Sequence, residues 1–179
     1  MKIKNLIITF VSAIALLIST SAISFAKVVG DKIVLGAAVS LTGKYSSNGV
    51  HTQNGYNMAV DRINSMGGVK VGGKTYKFEI IYYDDESNPK RAAQLAERLI
   101  SQDGVEFMLG PYSSGLTKAM APVTEKYGVP MVEANGASRS LFTKGYKYLF
   151  AVLAPANLYL DVAIRTAVEL NGGKGVNIA

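Results

Sequence analysis

The 179-residue sequence carries a formal net charge of +6, and 49% of its residues are hydrophobic while 18% are charged. This composition excludes an intrinsically disordered chain and indicates a packed core of one domain, or of one domain and the start of a second. Lysines and arginines are interspersed with acidic residues, and no basic run contains aromatic residues. We therefore predict that the protein does not bind nucleic acid.

The first predicted element is an export signal. Two lysines precede an apolar run over Leu6–Ile18, and the small residues Ser24 and Ala26 occupy the −3 and −1 positions of a signal-peptidase site. The apolar run is shorter than the roughly 20 residues that a transmembrane helix needs. We expect residues 1–26 to be a signal peptide cleaved after Ala26; an uncleaved membrane anchor is the alternative. The sequence contains no cysteine, which excludes disulfides and a cysteine-linked lipid anchor.

Strands and helices alternate after the signal. The predicted strands are Lys32–Val39, Tyr76–Tyr83, Val105–Leu109, Val129–Val132 and Tyr148–Val152, with a small hairpin over Val69–Thr75. Helical spacing predicts three helices between them, and a fourth over Asn157–Leu170. The predicted buried sides of the three are, in chain order, Tyr56, Ala59, Val60, Ile63 and Met66; Ala93, Leu95, Ala96 and Leu99; and Leu116, Met120, Val123 and Tyr127. Gly67-Gly68 ends the first helix, and Asn88 with Pro89 begins the second.

This alternation specifies the fold class. Because each connection is one helix long, the pattern predicts an α/β fold with a doubly wound parallel sheet, right-handed crossovers and helices on both faces. In such sheets a ligand lies beyond the carboxyl ends of the strands, near the point where the strand order reverses. The loops after Val39, Tyr83, Leu109 and Val132 are therefore the candidate ligand-binding segments.

Two of these loops have a composition suited to an anion. Gly110–Gly115 leads into a helix, whose first N–H groups are unpaired and favour a carboxylate or phosphate. Ser113 and Ser114 add hydroxyl donors, although one of these serines could simply cap the helix. Glu133–Ser138 is expected beside them, and its small and polar residues let a ligand approach the backbone.

The remaining polar residues give little indication of a metal site or of catalysis. Asp84-Asp85-Glu86 resembles a cation site, but no histidine or cysteine pattern supplies further ligands, so we interpret these residues as carboxylates that cap loops and the start of a helix. The single histidine, His51, is expected at the surface or beside a second lobe. The sequence contains no nucleophile elbow, phosphate-binding P-loop or dinucleotide-binding glycine motif. We predict no catalytic residue, no metal and no cofactor.

Five segments occur in a familiar order: Leu35-Gly36 with Ser40–Gly43; Gly55, Ala59 and Ile63-Asn64 with Gly67–Val69; Tyr83–Asp85; Asn88-Pro89; and Gly110–Ser114. This order resembles the type I periplasmic binding proteins, specifically the leucine/isoleucine/valine-binding family that serves ABC importers. The resemblance runs from about Ile33 to the end of the chain. It implies a two-lobed protein, longer than this chain, that closes on a ligand held between its lobes.

The resemblance also implies a domain organisation. Residues 27–152 would form the N-terminal lobe, and residues 153–179 the crossover and the start of the second lobe. Since Val176–Ala179 begins a strand that the sequence does not finish, we expect the chain to be a fragment or an early-terminated reading frame.

By the same resemblance, the protein is expected to be a monomeric periplasmic substrate-binding component and not an enzyme. It would deliver an amino acid or similar small carboxylate to an ABC transporter permease in the inner membrane. Two alternatives remain open. One is a periplasmic ligand-sensing domain that regulates a partner protein, and the other is an exported α/β enzyme with its catalytic residues beyond Ala179.

In that family a serine after the third strand and a residue after the fourth hold the ligand's α-carboxylate. Ser114 matches the serine, and Ala137 falls at the second position, where its backbone N–H or the adjacent Ser138 would contribute. The first-loop aromatic position falls at Asn48, with Tyr45 nearby. The predicted ligand-binding residues are Tyr45, Asn48, Tyr112, Ser113, Ser114, Asn135, Gly136, Ala137 and Ser138.

Overall fold

The computed structural model describes residues 28–175 and Asn177. The predicted signal peptide with its cleavage after Ala26, and the strand predicted to begin at Val176, lie outside the described residues. Within the part that is described, no helix combines the length and apolar character needed to cross a membrane.

The chain alternates strands and helices. The strands are β1 (Val28–Val29), β2 (Lys32–Val39), β3 (Val69–Val71), β4 (Lys74–Asp84), β5 (Met108–Leu109), β6 (Met131–Glu133) and β7 (Leu149–Ala151). The helices are α1 (Ser46–Ser65), α2 (Pro89–Ser101), α3 (Ser114–Tyr127) and α4 (Asp161–Leu170), with 3-10 turns at Arg139–Leu141 and Ala156–Leu158.

The sheet has the order β3-β4-β2-β5-β6-β7, with β1 antiparallel to the start of β2. The strands β4, β2, β5, β6 and β7 are parallel to their neighbours, and β3 forms the predicted hairpin with β4. After β2 the chain forms β4 on one side of it and β5 on the other, so the strand order reverses at β2. The prediction of a doubly wound parallel sheet is confirmed, and the loops after β2 and β5 flank its switch point.

One face of the sheet is covered by α2 and α3. Leu99 of α2 and Leu116 and Met120 of α3 are fully buried, in one core with Val34 and Ala38 of β2. As predicted, the Asn88 side chain caps α2 by accepting hydrogen bonds from the N–H groups of its first turn, directly before Pro89. Tyr127, predicted to be buried, is exposed at the end of α3.

The opposite face is only partly covered. Helix α1 packs mainly on β4 and β2, and beside it lies an apolar cavity of about 350 Å³. Its lining includes Leu35, Phe78, Phe107 and Val132. The predicted buried side of α1 was wrong at two residues. Ala59 is exposed on the helix, and Met66, just after its end, is 68% exposed.

Several predicted boundaries were wrong by a few residues. Strands β5 and β7 are shorter than predicted, and β6 begins two residues later, because pairing with neighbours and not the apolar run sets the ends of a strand. The predicted tail helix is divided into the 3-10 turn at Ala156–Leu158 and α4. None of the residues of α4 is buried.

Candidate functional site

The loops after β2, β5 and β6 meet at the carboxyl ends of these strands. The Ser138 N–H donates a hydrogen bond of 3.1 Å to the Ser114 hydroxyl, which joins the loop after β6 to the start of α3. The rings of Tyr45 and Tyr112 meet edge to face with centroids 5.4 Å apart, which joins the loop after β2 to the loop after β5. The structure thus brings together predicted residues from all three loops.

The two serines at the start of α3 have different surroundings. Ser113 occupies the N-cap position, but its side chain accepts no hydrogen bond from the helix backbone. The Thr117 N–H donates to the Ser113 carbonyl at 2.9 Å, as in the first turn of any helix. The alternative that Ser113 is a conventional side-chain cap is therefore wrong. The Ser114 hydroxyl accepts from Ser138 and keeps its own proton for another acceptor.

Positive charge lies beside these serines. The Lys44 Nζ atom is 4.6 Å from the centroid of the Tyr45 ring. Lys44 and, to a smaller extent, a hydrogen bond with the Ser113 hydroxyl lower the pKa of the Tyr45 phenol. Together with the partial positive charge at the N-terminus of α3, this lysine makes the region favourable for an anion.

Glu133 lies fully buried at the end of β6, directly behind the loop of the site. The Thr117 hydroxyl donates to its Oε2 atom at 2.8 Å, and the Gly136 N–H donates to its Oε1 atom. Burial raises the pKa of the Glu133 carboxyl, whereas hydrogen bonds from the N–H groups of Gly136 and Asn135 and from the Thr117 hydroxyl lower it. The Gly136 N–H is thus directed to Glu133, while a ligand-binding role for this residue stays a prediction.

From the sequence, Glu133 was expected only as the first residue of a loop of small residues. The available signal was a charged residue at the end of an apolar strand, followed within three residues by a glycine. A carboxylate in a buried strand needs hydrogen-bond donors nearby, and the N–H groups of a tight loop are suitable donors.

Asp84 and Asp85 organise the loop after β2. Asp84 accepts hydrogen bonds from the N–H groups of Leu41, Thr42 and Glu86 at 2.9, 3.2 and 2.9 Å, and from the Thr42 hydroxyl at 2.7 Å. Partial burial raises the pKa of the Asp84 carboxyl, but these hydrogen bonds outweigh it and hold the pKa below its usual value. The prediction of loop-capping carboxylates is confirmed. In residues 28–175 and Asn177, no group of three or more acidic or histidine side chains could hold a metal ion.

A cleft of about 400 Å³ lies between α1 and the loop after β6. It is lined by Asn48, His51, Thr52, Gly55, Tyr56, Tyr112, Ala134 and Asn135. Three of these residues were predicted; of the five that were missed, four lie on α1 and the fifth is Ala134 in the loop after β6. The spacing of Asn48, His51, Thr52 and Gly55 on one helix face could have indicated this lining. His51 is exposed, as predicted.

The sequence profile described as "Periplasmic binding protein" matches residues 32–178, which is most of the chain. The chain belongs to the periplasmic binding protein family. It is 30% identical over 139 residues to the leucine-, isoleucine-, valine-, threonine- and alanine-binding protein of Pseudomonas aeruginosa. That alignment covers 78% of this chain but 36% of the relative, so the chain spans little more than a third of the relative's length.

Solved members of the family share the fold. A branched-chain amino-acid transporter substrate-binding protein from Streptococcus pneumoniae, in complex with isoleucine, is 29% identical with a TM-score of 0.63. The match covers 75% of this chain and 39% of that one. A solute-binding protein from R. palustris, in complex with 4-hydroxybenzoate, is 28% identical with a TM-score of 0.63 and matches 79% and 37% of the two chains. The first of these relatives is a substrate-binding protein of a transporter and the second a solute-binding protein of an ABC transporter, which supports a transport role.

Proposed function

We propose that this chain contributes one lobe of the substrate-binding component of an ABC importer, and that the lobe binds a small carboxylate, such as an amino acid, at the N-terminus of α3. The observation that carries the proposal is the hydrogen bond between the Ser138 N–H and the Ser114 hydroxyl. It fixes the Ser114 oxygen between two loops of the site and leaves the hydroxyl proton available to an acceptor. The N–H groups of the first turn of α3 are the adjacent donors.

The ligands named for the two solved relatives support a carboxylate. One was captured with isoleucine and the other with 4-hydroxybenzoate. The side groups of these molecules differ, and the group that they share is a carboxylate. We infer that the carboxylate is the common anchor and that other parts of the site select the rest of the ligand. Tyr45, Asn48, Tyr112, Ser113, Asn135, Gly136, Ala137 and Ser138 are the proposed surroundings.

We further propose that residues 27–152 form one lobe and that residues 153–179 lead to a second. None of the residues of α4 is buried, and Val162 and Leu170 are 74% and 84% exposed. A second lobe would cover these side chains and close the ligand site. In this account the signal peptide is cleaved after Ala26, the protein acts in the periplasm as a monomer without catalysing a reaction, and a permease in the inner membrane receives the ligand.

A screen of paired ligands tests the proposal. Amino acids and hydroxybenzoates are titrated calorimetrically against protein purified from exporting cells, each beside its methyl ester. The account predicts that at least one acid binds and that its ester binds at least about tenfold more weakly, because the ester lacks the charge that the α3 N-terminus favours. Equal binding of acid and ester, or binding of no acid, would contradict the proposal.

A further inference from the structure

We infer that Glu133 is the positioning residue of the proposed carboxylate site. Its side chain holds the loop over Ala134–Ser138 against the first turn of α3. This inference rests on the proposed function, because it concerns the geometry of the same site. Glu133 does not touch the ligand in this account. It acts through the backbone of the loop and through Thr117.

The contacts of Glu133 connect the two walls of the site. One carboxylate oxygen accepts from the Gly136 N–H in the loop, and the other accepts from the Thr117 hydroxyl in α3 at 2.8 Å. Ser114 and Ser138 make the second connection between the same two segments, at 3.1 Å. The loop is therefore attached to α3 at two points, one buried and one beside the proposed ligand.

Two glycines provide the room for this carboxylate. A Cβ atom at Gly110 would lie 2.9 Å from the Cα and Cβ atoms of Glu133. A Cβ atom at Gly136 would lie 2.9 Å from the Cδ atom of Glu133. Any other residue at either position would displace the glutamate or the loop. Gly110 is itself held by α1, because the Tyr56 hydroxyl donates to its carbonyl at 2.7 Å. The site thus depends on glycine on both sides of Glu133.

The energetic cost of this arrangement argues for a role beyond core packing. Burying a carboxyl group is unfavourable unless its oxygens are hydrogen-bonded, and an apolar side chain of similar size would fill the space without that cost. What an apolar residue cannot do is accept the Gly136 N–H and the Thr117 hydroxyl together. A glutamine can bond to both groups, because its oxygen accepts from the Gly136 N–H and its amide donates to the Thr117 hydroxyl oxygen, which reverses the direction of that second hydrogen bond.

Matched variants of the full chain test this inference. Glu133→Gln keeps both hydrogen bonds and Glu133→Ala removes them. Thr117→Val removes one of them, with Thr124→Val as its control, because Thr124 is equally buried in α3 but donates to the Ala121 carbonyl. Amide hydrogen exchange at Asn135 and Gly136 is measured without ligand, and the dissociation constants for L-isoleucine and 4-hydroxybenzoate are measured by calorimetry.

We expect faster exchange at Gly136 in Glu133→Ala and Thr117→Val, and binding weaker by on the order of tenfold in Glu133→Ala, while Glu133→Gln and Thr124→Val stay near wild type. If Glu133→Ala does not fold, Thr117→Val against Thr124→Val decides the question. Unchanged exchange and affinity in Thr117→Val and in any folded Glu133→Ala would overturn the inference. Wild-type protein that binds neither probe counts only against these two acids as ligands, and the exchange comparison, which needs no ligand, then decides the inference.

Discussion

At the residue scale, buried carboxylates organise two loops of the site. Asp85 is fully buried and accepts hydrogen bonds from the Ser40 hydroxyl at 2.6 Å and the Ser87 N–H at 2.8 Å. Glu133 at the end of β6 also accepts from one hydroxyl and from backbone N–H groups, but it uses both of its oxygens, whereas both of these hydrogen bonds of Asp85 go to Oδ1. Burial raises the pKa of both carboxyls. Both groups therefore bind a proton more readily in the folded state than in the unfolded one.

The raised pKa of Glu133 predicts a dependence of stability on pH. The contribution of the raised pKa to the free energy of unfolding is fully present below the ordinary carboxyl pKa of 4.5. It is lost as the pH rises through the pKa that Glu133 has in the folded state. Glu133→Gln removes this loss, so its melting temperature relative to wild type should increase as the pH is raised from about 4.5 to 8.

Thermal denaturation at a series of pH values measures this difference. The control is Glu169→Gln, at an exposed carboxylate of α4. A constant difference for Glu133→Gln would show that the buried carboxyl has the same pKa in the folded and unfolded states.

At the element scale, α1 approaches β2 closely at one glycine. Gly49 is buried in the first turn of α1, and a Cβ atom there would overlap the carbonyl oxygen of Ser40. Gly55 lies further along the same helix with no other atom within 4 Å of a Cβ atom. The same substitution should therefore have opposite effects at these two positions.

Gly49→Ala and Gly55→Ala form a matched pair. We expect Gly49→Ala to lower the free energy of unfolding by about 1–3 kcal/mol through overpacking, and Gly55→Ala to raise it by about 0.5–1 kcal/mol through helix propensity. Urea denaturation of both variants measures the two changes. Destabilisation by Gly55→Ala, or no effect of Gly49→Ala, would contradict the close packing of α1 on β2.

The sequence predicts elements better than it predicts what covers them. Alternating apolar runs and helix signals located β2, the hairpin and the cap of α2, because these signals are local. The burial of Ala59 and Met66 was predicted wrongly, since it depends on which surfaces lie opposite the helix. Glu133 was not recognised as a buried acid, because the local signal does not show that the Thr117 hydroxyl of α3 lies within hydrogen-bonding distance, and only the fold brings the two together.

The loops of the site were predictable because parallel strands place their carboxyl ends at one edge of the sheet. The Gly-Pro-Tyr-Ser-Ser segment and the loop after β6 therefore had to be neighbours. The contact between Ser114 and Ser138 was not predictable, because it depends on the relative position of two loops to within an ångström. The α1 residues of the cleft that follow Asn48 were missed, although their spacing on one helix face was available from the sequence.

At the scale of the whole molecule, the described residues leave the sheet face beside α1 partly uncovered. Phe107, Val132 and Phe150 are 42%, 41% and 51% exposed. Parallel sheets are normally covered on both faces, and exposed apolar patches mark interaction surfaces or promote aggregation. We therefore expect the 179-residue chain by itself to self-associate through this face.

Polar substitution on this face should reduce self-association. Val132→Thr combined with Phe150→Ser is expected to lower the binding of a hydrophobic dye and shift sedimentation towards the monomer, while the stability changes little. Met58→Gln is the control, because Met58 is 72% exposed on α1 but lies outside the cavity lining. Equal self-association of wild type and the double variant would show that the chain does not self-associate through this face.

The central claim is that Ser114 at the start of α3 binds the carboxylate of a ligand. The most direct measurement is the dissociation constant of the acid selected in the paired-ligand screen, by calorimetry, for wild type, Ser114→Ala and Ser101→Ala. Ser101 is the control because its hydroxyl donates to the Glu97 carbonyl on the exposed side of α2. The account predicts binding weaker by on the order of tenfold or more for Ser114→Ala and no change for Ser101→Ala. Equal affinity of wild type and Ser114→Ala would contradict it.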